Sequence, residues 1–591
     1  MFEWARLAAA ALSVAFHVAI IFSGLIPALI VRPAHLALAM PFVFVFGARG
    51  SWFSRIAGYG LCALGLASCL YVMLWRRDLV DQYGSLEGGF QHAVALVLLL
   101  VVLDMARRAI KPVMPTIALI VLLYGMFGDL IPGEWGHAGL PLESFLGTLA
   151  ITEGGIWGTL TATSAELVAP FMILGAFVAA GEAGTGFLTF AQKLAGRYRA
   201  GAAKVQVIAS ALYGMISGSA SANVASTGTI TIPTMIRQGY PRTFAAATEA
   251  VASTGGQIMP PIMGAGVFLM ASLIQVPYSD LMVVAAPPAL LYFLTAWFGV
   301  HQTAVAAGIE VASREAIPTW GAVARTLPFF LAPLGVLIVM LVASDYTAGY
   351  AGAVATAIAA VLLLFDDQLR VSVRRFVERM REGMIAAAEQ IAMVASVIVC
   401  AGIITGVFHM TGVGVKITSL IIGMAGGQLW VVLVLTALAC IALGMELPTT
   451  AAYVICISVA GPALGNLGLP PLQAHLFVFW YALLCTLTPP VCGNVFIAAS
   501  IAETPWLPVA WRAMRLGGGL FVVPLAFVAN PSLLTFATTP LVTTLATVKV
   551  GIGLWFFTYA LVGGARGGQG GAWLRIAAAA ISAAVMFAYG F

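Results

Sequence analysis

Two polar tracts interrupt an otherwise apolar chain, and each is followed by a Pro-Pro pair. The first tract reads SGSASANVASTGT, Ser217 to Thr229. It contains no large apolar side chain and cannot favour lipid, so its backbone must line a polar cavity or pack on protein. Ser217, Ser219, Ser221 and Asn223 bring hydroxyl and amide oxygens, and Gly218 lets carbonyls turn towards a ligand. Downstream lies EAVASTGGQIMPPIMG, Glu249 to Gly264. Pro260 and Pro261 remove two backbone donors, and Gly255 and Gly256 weaken the helix before them. The carbonyls of Ser253, Thr254, Gly255 and Gly256 are therefore expected to lose their helical partners. Free carbonyls beside hydroxyls suit a small hard cation, and the N-terminus of the next half-helix suits a carboxylate. The plainer alternatives are a small-residue helix contact for the first tract and a proline kink for the second.

The second half repeats the design with GMELPTTAAY, Gly444 to Tyr453, and TLTPPVCGN, Thr486 to Asn494. Glu446 is the most informative residue of this pair. A carboxylate in an apolar hairpin is costly unless it is paired, hydrated, protonated or bound to a cation, so it is a candidate for ion or proton coupling; solvation at the outer water boundary is the idle alternative. Thr449, Thr450, Thr488 and Asn494 supply neutral oxygens nearby, and Pro448, Pro489, Pro490 and Gly493 shape the backbone. Glu166, Glu249 and Glu389 read as structural. Of the seven histidines, His475 alone stands close to a motif, and interfacial solvation accounts for it.

The elements that position these residues follow from composition. Of 591 residues, 61% are apolar and 9% charged, and the mean hydropathy is +1.02. At about 20 apolar residues per crossing, the length holds more than a dozen spans and no large soluble domain. This is an all-α integral membrane protein. The +5 charge is a topology signal and argues nothing for nucleic acid. The seven cysteines lie in apolar stretches without a C-x-x-C pair and read as small core hydrophobes. The N-terminal apolar run is too long for a signal-peptide core and reads as a retained first span.

Apolar runs place spans near 6–31, 34–48, 56–75, 90–106, 113–131, 158–182, 278–302, 326–344, 346–365, 384–409, 516–531, 541–563 and 573–591. Stretches 202–236 and 428–464 are predicted as re-entrant hairpins, and 243–274 and 471–503 as broken spans that cross. With the N-terminus inside, this leaves Arg32, Arg76, Arg77 and Lys416 outside and Lys549 within a span, and puts the rest of the 28 basic residues in the cytoplasm. The C-terminus then falls in the periplasm. That asymmetry is what the positive-inside rule expects.

A weak internal repeat agrees. PPIMGAGVFLMAS (Pro260 to Ser272) and PPVCGNVFIAAS (Pro489 to Ser500) share their starts and their Ala-Ser ends. In both halves a span, a short amphipathic arm (184–198; 413–424), a hairpin and a broken span follow one another, and the topology makes the copies inverted. Inverted repeats with interrupted helices point to the central site of a secondary transporter. None of the five lysines precedes Ser or Thr, so no Walker A loop is present, and there is no H-E-x-x-H. An intramembrane hydrolase using Ser217 and a histidine finds no supporting Ser-His spacing.

The runs SGSASANVASTGTITIP, GYPRTFAAATEAVASTGGQIMPPIMG, GMELPTTAAY and LPPLQAHLFVFWYALLCTLTPPV resemble the fused membrane subunit of tripartite ATP-independent periplasmic (TRAP) transporters of the type that works with a TAXI-class binding protein. The resemblance implies a Q-like four-helix domain at 1–111, an M-like transport and scaffold domain at 112–531 and a two-span extension at 532–591. It further implies an inner-membrane elevator that imports a small carboxylate delivered by a periplasmic TAXI-type binding protein, and no enzymatic activity. Carried over, one site uses Ser217, Gly218, Ser219, Asn223 and Ser253 to Gly256, and the other Glu446, Pro448, Thr449, Thr488 and Gly493. These would hold coupling cations, Na⁺ favoured over H⁺, with the organic anion between the tips and no further cofactor. Glu446 departs from the small residue the resemblance implies at the second tip, which keeps H⁺ beside Na⁺. A stand-alone ion-coupled carboxylate transporter is the alternative, against which the Q-like helices argue.

Overall fold

The computed structural model describes residues 2–48, 50–109, 112–308, 317–344, 346–445, 447–562 and 569–587. Among them the chain is helical throughout, apart from one isolated bridge between Phe365 and Val371. Nine described helices are long and apolar enough to cross a membrane, or ten when the bent pair Trp320–Thr326 and Pro328–Val342 counts as one.

The long helix Val373–Thr411 is the axis of the molecule. Its 39 residues extend about 58 Å at 1.5 Å per residue, well beyond the ~30 Å of a hydrocarbon core. Phe2–Phe22, Ala28–Pro41 and Gly88–Ala109 pack against it, as do Val113–Phe127 and Ala169–Ala180. Arg381 bonds Glu3 at 2.8 Å, and Arg6 bonds Glu389, so the first helix is tied to the axis at two levels.

The two halves carry the same series of elements. An arm (Ala183–Ala195; Val413–Met424) leads into a helix pair joined by a tight turn (Gly201–Ser217 with Ala220–Arg237; Leu429–Gly444 with Thr449–Asn466). A broken helix follows (Arg242–Thr254 then Ala265–Ile274; Pro471–Leu484 then Gly493–Ile501). In each, a short 3-10 turn (Gly255–Ile258; Cys485–Leu487) leads into the Pro-Pro pair, and both Pro-Pro bonds are cis. The halves exchange their short segments. Gly493–Ile501 packs on the first helix pair and first broken helix, while Ala265–Ile274 packs on Thr449–Asn466 and Pro471–Leu484.

Four boundaries depart from the sequence reading. The first turn falls at 23–27, where Gly24 is left-handed and Pro27 caps Ala28–Pro41, rather than at Arg32-Pro33. Arg32 is helical, and its guanidinium bonds Glu153 at 2.7 Å and the Trp157 carbonyl. The basic segment 370–381 is mostly the first turns of the long helix, not a loop. The expected span 326–344 is the helix Pro328–Val342, extended before Pro328 by Trp320–Thr326 across a 56° bend. The expected span 516–531 is two 3-10 turns around the short helix Val523–Ala529, because three consecutive glycines (Gly517 to Gly519), Pro524 and Pro531 interrupt it.

Candidate functional site

The first tip folds as its residue types dictate. Ser217 ends one helix, Gly218 turns left-handed at φ +58°, and Ser219 caps the next by accepting from Ala222 N. A Cβ on Gly218 would stand 3.1 Å from the Met263 carbonyl, and one on Gly264 3.1 Å from the Gly218 carbonyl, so the tip abuts the first Pro-Pro turn. The second tip meets its own turn likewise: Cys485 Sγ donates to the Gly444 carbonyl at 2.9 Å. Pro448 caps Thr449–Asn466, with Thr449 buried and Thr450 half-buried. Glu446 lies outside the described residues.

Asn223 is fully buried and donates from Nδ2 to the carbonyls of Ser210 (2.9 Å) and Ser253 (3.3 Å), joining three segments. Gly214 and Gly256 cross so closely that a Cβ on either would overlap the Cα of the other. Of the four carbonyls expected to be free, Ser253 O is met by Asn223 and Gly256 O by Met259 N at 3.3 Å. A cation there would share or displace these donors.

Asn494 unites what the sequence separates into two sites. Its Nδ2 donates to Thr254 Oγ1 at 2.7 Å and Thr486 Oγ1 at 3.0 Å, and its Oδ1 accepts from Ser221 Oγ at 3.0 Å. Among the described residues, no hydrogen bond brings Thr449, Thr450 or Thr488 into this group, and Thr488 Oγ1 donates to its own helix at Leu484 O. Pro490 and Ser221 are exposed, and Ser217, Ser219, Thr488, Pro489 and Gly493 are half-buried, so the cluster borders open space.

Glu249, read as structural from the sequence, is the hub of a buried network. It is fully buried between the first helix pair and the first broken helix. Oε1 accepts from Ser253 (2.6 Å), Ser210 (3.1 Å) and Thr227, and Oε2 accepts from Gln206 (2.5 Å) and Thr231 (2.7 Å). Five donors answer the cost of a buried carboxylate without a cation beside it. A sequence signal existed: Gln206/Ser210, Thr227/Thr231 and Glu249/Ser253 are each i,i+4 pairs, which puts one polar pair on one face of each of three helices. Glu389 pairs with Arg6, and Glu166 lines a 680 Å³ cavity.

A cluster shared by the first helix-pair tip and the two broken helices can bind and release small ligands but offers no activated nucleophile. Residues 96–542 match the family described as the tripartite ATP-independent periplasmic transporter, DctM component. The chain belongs to the DctM family. It is therefore a multi-pass inner-membrane transport protein, the large permease of a TRAP transporter. Among its relatives, the C4-dicarboxylate large permease DctM of Pseudomonas aeruginosa is 26% identical over 57% of this chain and 78% of its own length. The ectoine/5-hydroxyectoine large permease UehC of Ruegeria pomeroyi is 24% identical over 66% and 90%. The isethionate permease DctMQ of Oleidesulfovibrio alaskensis is 25% identical over 56% of this chain and 51% of its own length. The solved YdaH transporter of Alcanivorax borkumensis aligns with a TM-score of 0.48 at 14% identity, covering 75% of this chain and 99% of that one. DctM-family members are transporter permeases rather than enzymes.

Proposed function

We propose that this DctM-family chain imports a small organic acid, delivered by a periplasmic binding protein of the TAXI type, with a cation gradient as the energy source. The observation that carries this reading is the convergence on Asn494 of the first tip through Ser221, the first broken helix through Thr254 and the second through Thr486. Neutral oxygens at such a junction suit a hard cation, and Na⁺ is favoured over H⁺ for that reason. The helix pairs act as re-entrant hairpins that enter from opposite sides, and they move with the broken helices as one unit against the long helix Val373–Thr411. Residues 1–111 serve as the Q-like part, 112–531 as the M-like part and 532–591 as an extension, with the N-terminus cytoplasmic and the C-terminus periplasmic.

The test is uptake into proteoliposomes holding the full chain, supplied with its cognate binding protein and a panel of radiolabelled small mono- and dicarboxylates. Na⁺ and pH gradients are imposed separately. Accumulation that needs both the binding protein and an inward Na⁺ gradient is the expected result. Accumulation indifferent to the binding protein, or to both gradients, would overturn the reading.

A further inference from the structure

A cavity of 1020 Å³ lies away from Asn494 and Glu249, where the second helix pair and second broken helix face the end of the long helix. Its walls come from 148–160, Leu273, 402–415 and 454–475. The positive-inside reading places each of these chain ends outside, so the cavity belongs to the periplasmic half of the molecule.

Within its wall, His475 is held from behind by Tyr453. Tyr453 is fully buried, and its hydroxyl stands 2.7 Å from Nδ1 of His475. No other acceptor meets that hydroxyl among the described residues, so its proton goes to Nδ1; otherwise it would be stranded in the core. Nδ1 is thereby the acceptor nitrogen, and the ring proton must sit on Nε2. His475 lines the cavity and Nε2 carries no hydrogen bond among the described residues. The pair thus holds one N–H donor ready for a ligand acceptor. His409, at the end of the long helix, is a second imidazole in the same wall, which Thr405 and Ser458 also line. Glu153 also lines the cavity, but its charge is answered by Arg32 at 2.7 Å.

We propose that this cavity is an outer vestibule that receives the substrate carboxylate ahead of the central site, with His475 Nε2–H as its hydrogen-bond donor and Tyr453 as the residue that fixes the ring. The identity of the anion rests on the importer reading above; the vestibule itself rests on the Tyr453–His475 geometry. A neutral donor on a half-open wall holds a carboxylate without trapping it, as a waystation requires.

All seven native cysteines are buried, which permits a direct test on the full chain in right-side-out vesicles. Ser458→Cys places a thiol in the wall, and a membrane-impermeant maleimide reads access to it. Succinate, lactate and glutamate are added separately as protectants. Labelling should slow about tenfold when an anion fills about nine-tenths of the cavities, and His475→Phe should abolish that protection. Tyr453→Phe, which removes the proton that sets the tautomer, should weaken it. A thiol that never labels from outside, labelling indifferent to all three anions, or protection that survives His475→Phe would overturn the vestibule. Failed uptake with intact protection would sink the importer reading alone, and normal uptake without protection would sink the vestibule alone.

Discussion

Ser221 Oγ donates to Asn494 Oδ1 across 3.0 Å, which links the first helix pair to the short segment of the second broken helix. The two residues belong to opposite halves of the chain, and Asn494 spends its two amide protons on Thr254 and Thr486. Removing the asparagine side chain forfeits three hydrogen bonds at once, at about 0.5–1.5 kcal/mol each, although Thr254 and Thr486 keep their bonds to the Ala250 and Leu483 carbonyls, whereas removing the exposed Ser221 hydroxyl forfeits one. Asn494→Ala should therefore lower uptake about tenfold or more, and Ser221→Ala only about threefold, in protein that remains monodisperse on size-exclusion chromatography. The reverse order would show that Ser221 acts on the ligand rather than on Asn494.

Glu249 poses a different question, because two of its five donors have a close backbone carbonyl to turn to. Thr227 can turn to the Asn223 carbonyl at 2.8 Å and Thr231 to the Thr227 carbonyl at 2.9 Å. Gln206 would fall back on Thr231 Oγ1 at 3.1 Å and Ser210 and Ser253 on each other at 3.3 Å, so these three would bear most of the loss in Glu249→Leu, at about 3 kcal/mol in total. Glu249→Gln keeps an acceptor of the same shape and should cost well under half of that. Thermal unfolding in detergent checks the ranking, and equal melting temperatures for wild type and Glu249→Leu would refute it.

The same network explains what the sequence disclosed and what it withheld. The turn at Gly218 and the breaks at Pro260 and Pro489 were readable because each depends on local chemistry: a left-handed glycine, a capping serine, a missing donor. Membrane character was readable from composition alone. Glu249 was read as structural, but its partners were hidden because they come from three helices whose mutual packing no local rule supplies. Asn494 was assigned to one site when its amide serves both, for the same reason. The first turn was misplaced because Pro33 looked like a helix stop, whereas it sits early in a helix that Pro27 had already capped. Both histidines that join the N-terminal helices to the rest, His17 and His35, lie in apolar runs with nothing to mark them as neighbours.

Two glycines in the candidate sites separate packing from ligand approach. A Cβ on Gly256 would collide with the backbone of Gly214, so Gly256→Ala should prevent the first broken helix from seating and abolish monodisperse expression. A Cβ on Gly493 meets nothing within 4 Å. Gly493→Ala should fold as wild type yet lose uptake if a ligand comes close to that backbone, a combination that separates binding from stability. Unchanged uptake in Gly493→Ala would remove Gly493 from the site.

Glu446 is argued from sequence, since it lies outside the described residues. A lone carboxylate after Gly444 and Met445 in an apolar hairpin needs a cation or a proton. Glu446→Gln should abolish uptake or make it indifferent to the imposed gradient, and wild-type rates with unchanged ion dependence would refute a coupling role.

The buried pair His17 and His35 carries the last prediction, because its chain of hydrogen bonds has one direction. His17 Nδ1 stands 2.7 Å from the Ser13 carbonyl, which can only accept, so that nitrogen holds the proton. In the neutral ring Nε2 is then an acceptor, and it takes a proton from His35 Nδ1 at 2.8 Å. His35 Nε2 is left as an acceptor and is met by the Ser164 hydroxyl at 3.0 Å. All three side chains are buried, so none can turn to water. Both rings should accordingly carry their proton on Nδ1, which nitrogen chemical shifts of histidine-labelled protein report directly; a proton on Nε2 of His35 would break the chain. Ser164→Ala would leave that nitrogen without a donor at a cost of about 1–3 kcal/mol. The loss falls where Phe2–Phe22 and Ala28–Pro41 meet the π turn Ser164–Val168. Limited proteolysis should therefore cut the N-terminal helices free in Ser164→Ala before it cuts elsewhere, and an unchanged cleavage order would show that packing alone holds them.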